Sequence, residues 1–416
     1  MWLTARAGSL TTNNPSFLVS DTSMGLYVHV PFCKTKCPYC DFNTYQGIEN
    51  LIEPFLTALT TEIRCWGETL AHPRIKSVFF GGGTPSYLPQ GYIEQILDSI
   101  QESFQLEQNT EITIEANPGD LDEVACAGIL TQGVNRLSIG VQSLDNDLLN
   151  LLGRRHQARE AIQAFKIARK AGFDNINLDL MYGLPTQSIT QWNQTLDSLI
   201  ELSPEHISLY ALTIEENTPM DRWLSEGKIP EPDPDLAADM YEYACESLAK
   251  SGYHHYEISN WSLAGRACRH NLVYWKNDPY LGVGPGAHSR LGNYRFWTIL
   301  SPREYNIRSA NWSESDTVSV PEILEVVLEG IPTLGGWEHI SIETAHSETM
   351  FLGLRLLDGL NIVEASVKSG LNLVERFETP IQECVDLGLL ERDGNCLKLT
   401  SSSYLIANQA FTRFLE

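Results

Sequence analysis

The sequence has little basic charge. Its 416 residues include 29 Lys or Arg against 53 Asp or Glu, which gives a formal net charge of −24. A strongly acidic surface repels phosphate backbones, and this argues against nucleic acid as a partner. Apolar runs long enough to span a bilayer are also absent. Residues 1–24 lack the apolar segment of a secretory signal, and their Ser, Thr and Asn content predicts a disordered N-terminal extension.

Paired cysteines are scarce as well. The chain has nine cysteines, and six of them are scattered singly along it. Such spacing excludes the disulfide framework of a small secreted protein. Cysteines of this kind suit a reducing compartment, so the sequence predicts a cytoplasmic protein.

Short apolar or β-branched runs alternate with longer amphipathic stretches over the first three quarters of the chain. The strand-like runs are residues 26–30, 77–82, 111–116, 136–141, 175–183 and 206–214. Helix-like stretches such as 51–67 and 158–173 lie between them. Strand, helix, strand at this spacing is typical of βαβ units and a parallel sheet. We expect an α/β fold with a partial (β/α)6 barrel over residues 25–310; a doubly wound open sheet is the alternative.

The last hundred residues form a different pattern. Residues 298–322 are polar and weakly periodic, which indicates a boundary, and we expect a second domain over residues 311–416. Within it, a helix, a short strand, a turn at Asp393-Gly394 and another short strand outline a winged helix. Residues 321–416 hold six Lys or Arg against fifteen Asp or Glu, a net of −9. This charge does not suit DNA binding, so we interpret the domain as a packing or protein-contact module.

Three cysteines stand within eight positions in "CKTKCPYC", at Cys33, Cys37 and Cys40. Structural zinc sites need four ligands, usually in two pairs, and no second pair follows here. Three free thiols that bind no metal are another interpretation. Three thiolates can also hold three irons of an iron–sulfur cube and leave its fourth iron open to a different ligand. The C-x3-C-x2-C spacing on a loop after the first strand favours this third reading.

Polar residues and glycines occur where the other predicted strands end. "GGGTP" (81–85) follows the second strand, and consecutive glycines allow close approach of backbone to a ligand. Glu115, Gln142 and Asp179 lie late in the third, fourth and fifth strands or just beyond. In a βα barrel such positions converge on one mouth. Arg154 could neutralise a carboxylate there; a structural ion pair or a solvated helix-end arginine is the alternative.

The strings "YVHVPFCKTKCPYCDF", "GGGTPS", "EANPGD", "GVQSLD" and "LDLMYGLP" resemble the radical S-adenosylmethionine (SAM) superfamily, and within it the oxygen-independent coproporphyrinogen III oxidase family. The resemblance runs from about residue 25 to the end. It implies that Cys33, Cys37 and Cys40 hold a [4Fe-4S] cluster whose open iron binds SAM. It implies a SAM site lined by Tyr27, Tyr39, Gly82, Gly83, Thr84, Glu115, Gln142, Arg154 and Asp179.

Two features separate the branches of this family. The oxidases carry one more cysteine after the third, and this chain has Phe42 there. The string His270-Asn271-x-x-Tyr274-Trp275 marks the haem-chaperone branch, and both features point to that branch. The resemblance implies haem binding, with His270 as axial ligand or orienting contact beside an aromatic wall. Other candidate haem ligands are Cys268 and His288, and Arg266 and Arg269 are candidate counter-charges for the propionates.

The resemblance therefore predicts a haem chaperone that binds haem, SAM and a [4Fe-4S] cluster and passes haem to acceptor proteins. The alternatives are oxidative decarboxylation of coproporphyrinogen III and radical chemistry on another substrate. An electron donor such as flavodoxin or ferredoxin could serve the cluster. We expect a monomer or a homodimer, with no catalytic residue assigned.

Overall fold

The computed structural model describes residues 23–312, 324–370 and 372–415. The extension predicted for residues 1–24 lies outside the described residues except at its last two positions, and Met24 already begins the first strand. Part of the predicted boundary at 298–322 also lies outside them. The rest of that stretch contains an α-helix at Pro302–Ser309.

A twelve-stranded mixed sheet forms the main body of the molecule. Its strands are β1 Met24–Val30, β2 Arg74–Gly82, β3 Gln105–Ala116, β4 Arg136–Gln142, β5 Ile176–Tyr182, β6 His206–Ala211, β7 His254–Glu257, β8 Asn260–Ser262, β9 Tyr280–Val283, β10 His288–Leu291, β11 Tyr294–Thr298 and β12 Leu334–His339. Strands β1 to β6 are parallel neighbours in chain order, and β9 pairs in parallel with the free side of β1. Strands β10 to β12 continue that side, and β8 and β7 continue the other.

This strand order confirms the partial barrel. A doubly wound sheet reverses its strand order at a switch point, whereas β1 to β6 here follow one another without reversal. β1 and β6 are not paired, so the barrel remains open. The short strands β7 to β12 were not predicted, because three to six residues carry little periodicity of their own.

Helices flank the sheet. They are α1 Ile52–Thr69, α2 Tyr92–Ser103, α3 Glu123–Thr131, α4 Asn146–Leu151, α5 Ala158–Ala171, α6 Ile189–Glu201, α7 Pro219–Ser225, α8 Pro234–Lys250, α9 Arg269–Trp275, α10 Pro302–Ser309 and α11 Leu324–Glu329. In α1, Phe55, Leu59, Ile63 and Trp66 repeat at three and four residues and form one buried stripe. No helix in the described ranges is long and apolar enough to cross a membrane.

Strand residues alternate between two environments. Leu26, Val28 and Val30 belong to the apolar core that the sheet shares with its helices. The intervening Tyr27 and His29 face the barrel interior, where a Cβ on Gly81 would lie 3.1 Å from the Tyr27 ring. The interior is therefore lined by polar and aromatic side chains rather than by an aliphatic core.

The C-terminal part has the winged-helix order that the sequence predicts. It contains α12 Ile342–Gly353, β13 Leu360–Asn361, α13 Ile362–Ser369, α14 Leu373–Arg376, α15 Glu378–Asp386, β14 Leu390–Asp393, β15 Cys396–Leu399 and α16 Asn408–Phe411. Its three strands form a separate sheet, and its own apolar core extends from Met350 to Phe414. Strand β12 pairs with β11 in the large sheet, so we propose the border between the units near residue 340 rather than at 310.

Helix α9 joins the two units. On one side it packs against β1 and β2, and on the other it contacts α12. Arg355, which follows α12, lies over the Trp275 ring at 4.3 Å from its centroid. Just beyond α9, Asp278 forms ion pairs with Lys76 of β2 at 2.5 Å and with Lys368 of α13.

Candidate functional site

The three-cysteine loop, residues 31–48, follows β1 at the carboxyl end of the parallel strands. Its two ends are tied together, since the Cys33 amide donates to Tyr45 O at 2.9 Å. It is also tied to the glycine segment after β2. The amides of Gly83 and Thr84 donate to Val30 O and Phe32 O at 2.7 and 2.8 Å. The loop is therefore fixed at its base by backbone hydrogen bonds.

Each of the three sulfurs has a polar neighbour from outside the C-x3-C-x2-C motif. Thr84 Oγ1 lies 3.6 Å from Cys33 Sγ, Arg154 Nη1 lies 3.6 Å from Cys37 Sγ, and Thr44 Oγ1 lies 3.9 Å from Cys40 Sγ. All three cysteines are partly exposed and free of disulfides. Partial burial raises the pKa of the Cys33 and Cys40 thiols.

The donor set fits an iron–sulfur cube better than a single ion. In the part of the chain that the structure describes, no three His, Cys, Asp or Glu side chains converge on one ion position. Zinc needs four ligands within about 2.3 Å, so the cysteines do not form such a site. A cube distributes its thiolates over separate irons and does not need them to meet. The positive irons would also stabilise the thiolate form against the effect of burial.

The triple glycine serves the packing of the cysteine loop. A Cβ on Gly83 would lie 2.6 Å from Phe32 O and 2.8 Å from Val30 O, and one on Gly82 would lie 2.5 Å from the His29 ring. Gly82 also has a φ of +104°. Since the Gly83 amide already bonds to the loop, close approach of the loop requires glycine here, whatever ligand binds. The sequence pattern predicts close approach of a ligand at these glycines, and packing of the cysteine loop is a further reason for them.

We expect Gly83→Val to displace the cysteine loop. The new side chain would meet two carbonyl oxygens that cannot move without breaking the base of the loop, and overpacking of this kind costs about 1–3 kcal/mol. Iron content after anaerobic reconstitution and the melting temperature should both fall. Gly119→Val is the matched control, because a Cβ there meets no atom within 4 Å. Equal iron content and melting temperature in the two variants would contradict this account.

Two carboxylates face each other inside the barrel. Burial and the nearby Asp179 charge raise the pKa of Glu115 to about 8. Burial also raises the pKa of Asp179. Hydrogen bonds from Asn177 Nδ2 at 2.8 Å and Ser138 Oγ at 3.0 Å lower this pKa but do not cancel the effect of burial. Both carboxylates are enclosed by protein, yet part of each side chain remains accessible. The interior is therefore not filled, and a polar ligand could bind between these groups.

Gln142 and Arg154 stand at the end of β4 beside the cysteine loop. Gln142 has a φ of +65°, a left-handed conformation that costs a residue with a side chain of order 1 kcal/mol or more. Arg154 Nη2 donates to Asn117 Oδ1 at 2.9 Å and to Gly140 O at 2.8 Å. Its Nε is buried and has no hydrogen-bond partner among the residues that the structure describes. An unpaired buried donor and a strained strand end are both typical of ligand sites.

Aromatic residues complete this end of the barrel. Tyr27 Oη lies 3.0 Å from His29 Nδ1, and His29 Nε2 lies 3.0 Å from Asn43 O in the cysteine loop. If His29 Nε2 donates to that carbonyl, its Nδ1 accepts from Tyr27. Burial raises the pKa of Tyr39, whose ring lies near Arg154 and Cys37. His29 was not predicted, although its alternation with Tyr27 in β1 was a usable signal.

The His270 ring lies near Tyr27 of β1, at 6.4 Å between the ring centroids. His270 is 1% exposed, and its ring stacks on Phe79 at 5.1 Å. Nδ1 lies 2.9 Å from Ser77 Oγ, and Nε2 lies 2.9 Å from Tyr274 Oη. The predicted helical turn is therefore present, and His270 and Tyr274 do share one face. Both ring nitrogens are occupied, however, so an iron could bind His270 only after one hydrogen bond breaks.

The other residues of the HNxxYW string join α9 to its neighbours. The Trp275 ring faces Arg355 of the C-terminal unit, and in the described part of the chain its buried Nε1 has no hydrogen-bond partner. The backbone N–H of Asn271 donates to the sulfur of Cys268, the residue that precedes the helix. Of the string, Trp275 therefore links α9 to the C-terminal unit.

The remaining haem-site candidates near α9 are already engaged. Cys268 is fully buried, and burial raises its pKa to about 12. Arg266 pairs with Asp174 at 3.3 Å, and Arg269 donates to Asn109 O at 2.6 Å. These three residues contact Glu111, Asp174 and Asn109, whereas Gly83, Thr84 and Arg154 contact the cysteine loop.

Comparison with known proteins defines the class of this chain. Residues 27–199 match the Radical SAM superfamily, and residues 340–405 match the HemN C-terminal domain. The solved structure of coproporphyrinogen III oxidase (HemN) from Escherichia coli has the same fold. Its TM-score is 0.78 over 94% of this chain and 90% of that chain, at 22% identity. The fold and the cysteine loop are thus those of a radical SAM protein.

Closer relatives narrow the assignment. Heme chaperone HemW from Bacillus subtilis is 33% identical over 391 residues, which are 94% of this chain and 98% of the relative. Heme chaperone HemW from Synechocystis sp. is 38% identical over 340 residues, or 80% of this chain and 78% of the relative. The chain belongs to the HemW family.

Proposed function

We propose that this protein is a haem chaperone that holds a SAM-ligated [4Fe-4S] cluster, binds haem and passes it to acceptor proteins. The observation that carries the proposal is similarity over nearly the whole chain to relatives named as heme chaperones. Phe42 supports it, because the chain has no cysteine at the position of the oxidases' additional one.

In this proposal Cys33, Cys37 and Cys40 hold three irons of the cluster. A bound cluster would supply an open iron that chelates the methionine part of SAM. Arg154 then offers its unpaired Nε to a carboxylate, which balances charge beside Cys37. This role would account for burying a guanidinium so close to the cysteine loop.

The remaining residues of the proposed SAM site have different roles, according to where each lies in the barrel. Gly82, Gly83 and Thr84 fix the loop base, and Tyr27 and Tyr39 provide aromatic walls. Glu115 and Asp179 offer acceptors for amino or hydroxyl groups, and Gln142 presents its amide from the strained strand end. A polar, cationic ligand would relieve the repulsion between the two carboxylates.

We expect the reconstituted protein to bind haem in a titration followed by its Soret band. We expect no decarboxylated product from coproporphyrinogen III in the presence of SAM and reductant. Both measurements use the same anaerobic preparation, with an active oxidase as the positive control for turnover. Product formation without haem binding would favour the oxidase alternative, and loss of bound haem to an apo-acceptor would support the chaperone.

A further inference from the structure

A half-open cavity of about 450 Å³ lies beside the cysteine loop. Its volume is within the range of small-molecule and cofactor sites, roughly 300–1,000 Å³. The cysteine loop forms one wall, including Phe42 and Tyr45, and the segments around His288 and Leu300 form the other. Phe42 and Leu300 are 64% and 59% exposed, so each wall of the cavity presents one large apolar side chain to solvent.

The two walls are fixed to each other by one side chain. Asn43 Nδ2 donates to Pro285 O at 2.9 Å and to Leu300 O at 3.0 Å, and Tyr45 Oη donates to Asn43 Oδ1 at 2.8 Å. Gly286 has a φ of +83°, and a Cβ there would lie 2.5 Å from Asn43 Nδ2. The cavity is therefore a built feature with preset walls.

His288 lines this cavity, and its imidazole is available to bind a metal. It is exposed at the start of β10, and its ring stacks on Trp297 at 5.7 Å and 26°. Within the described ranges no group hydrogen-bonds to either of its ring nitrogens. His270 has neither property, since it is buried and both of its nitrogens are occupied.

The charges of the cavity suit an amphipathic metal complex that carries carboxylates. Lys36 lines the cavity, and its Nζ donates to Phe42 O at 3.0 Å, which leaves further ammonium protons available. On a chain with a net charge of −24, this local cation would attract an anionic group that the rest of the surface repels. Asp41 also lines the cavity and opposes this attraction in part.

We infer that this cavity takes the haem, with a ring nitrogen of His288 as axial ligand, Phe42 and Leu300 against the porphyrin and Lys36 near a propionate. The inference rests on the proposed function, because it names where the haem of that function binds. Thr44 lines the same cavity and lies 3.9 Å from Cys40 Sγ. The haem is thereby placed next to the cysteine loop and away from the HNxxYW string.

The test is a haem titration of the full chain carrying His288→Ala, with cluster content measured in parallel. We expect the histidine-ligated Soret maximum to disappear and haem affinity to fall roughly tenfold or more, because an axial bond is lost. Iron and sulfide of the cluster should not change. His339→Ala, which removes another exposed histidine of the same sheet, should bind haem like the wild type.

His288→Gly with added imidazole provides a second measurement. If the missing ligand is an imidazole, the free base should restore the wild-type Soret position. An unchanged spectrum and affinity in His288→Ala, while the wild type binds haem, would overturn this site but leave the proposed function intact. Failure of the wild type to bind haem would overturn the proposed function itself.

Discussion

Replacing Cys37 with alanine should remove most of the cluster. Three protein thiolates are available for four irons, so loss of one leaves two ligands and no second cysteine close by to substitute. The change also deletes the sulfur that Arg154 Nη1 contacts at 3.6 Å, which leaves a buried cation with one neighbour fewer. Iron and sulfide per chain, determined after anaerobic reconstitution, measure the effect.

Cys396→Ala is the control for this variant. Cys396 is a partly exposed cysteine in β15 of the C-terminal unit, outside the barrel. It should retain wild-type iron and sulfide. Retention of four irons per chain by Cys37→Ala would show that the cysteine loop does not hold the cluster as proposed.

Replacing Glu115 with glutamine should stabilise the apoprotein at alkaline pH while abolishing its response to SAM. The pKa of Glu115 is about 8 in the folded protein against an ordinary value of 4.5. Between these values the unfolded chain has released the proton that the folded chain retains, so stability falls as pH rises. One pKa unit corresponds to 1.36 kcal/mol, so the folding stability lost through Glu115 grows by roughly 2–3 kcal/mol between pH 6 and pH 8.

Thermal unfolding of the apoprotein at these two pH values tests the prediction. The melting temperature of Glu115→Gln should exceed that of the wild type by more at pH 8 than at pH 6. Glu102→Gln removes an exposed carboxylate on α2 and should show no such divergence. A Glu115→Gln protein that loses stability equally at both pH values would refute the account. Added SAM should raise the melting temperature of the reconstituted wild type but not that of this variant.

The sequence was sufficient to predict the six parallel strands because local signals agree there. Residues 26–30 and 77–82 are apolar runs bounded by turn residues, and α1 repeats its apolar residues at helical spacing. Strand β9 could not be found in this way. Only four residues long, it is defined by its parallel pairing with β1, more than 250 positions away. The border that we propose near residue 340 could not be derived from the sequence for the same reason, since β12 belongs to the large sheet by pairing alone.

The site was predictable where it depends on strand ends. Glu115 and Asp179 approach each other because parallel strands end on one side of the barrel. Buried polar partners such as Asn177 and His29 were not predicted, since a polar residue that alternates with apolar ones usually indicates a solvent-facing side. The position of His270 could not be predicted either, because it depends on how α9 packs beneath β1 and β2.

Helix α9 also has a consequence for how the molecule unfolds. His270 anchors this helix in the barrel through its hydrogen bond with Ser77. Trp275 anchors the helix to the C-terminal unit through Arg355. Neither unit can separate from the other without exposing a helix that is seven residues long and too short to persist alone. We therefore expect local opening at this joint to be coupled to both cores, so that the two units unfold together.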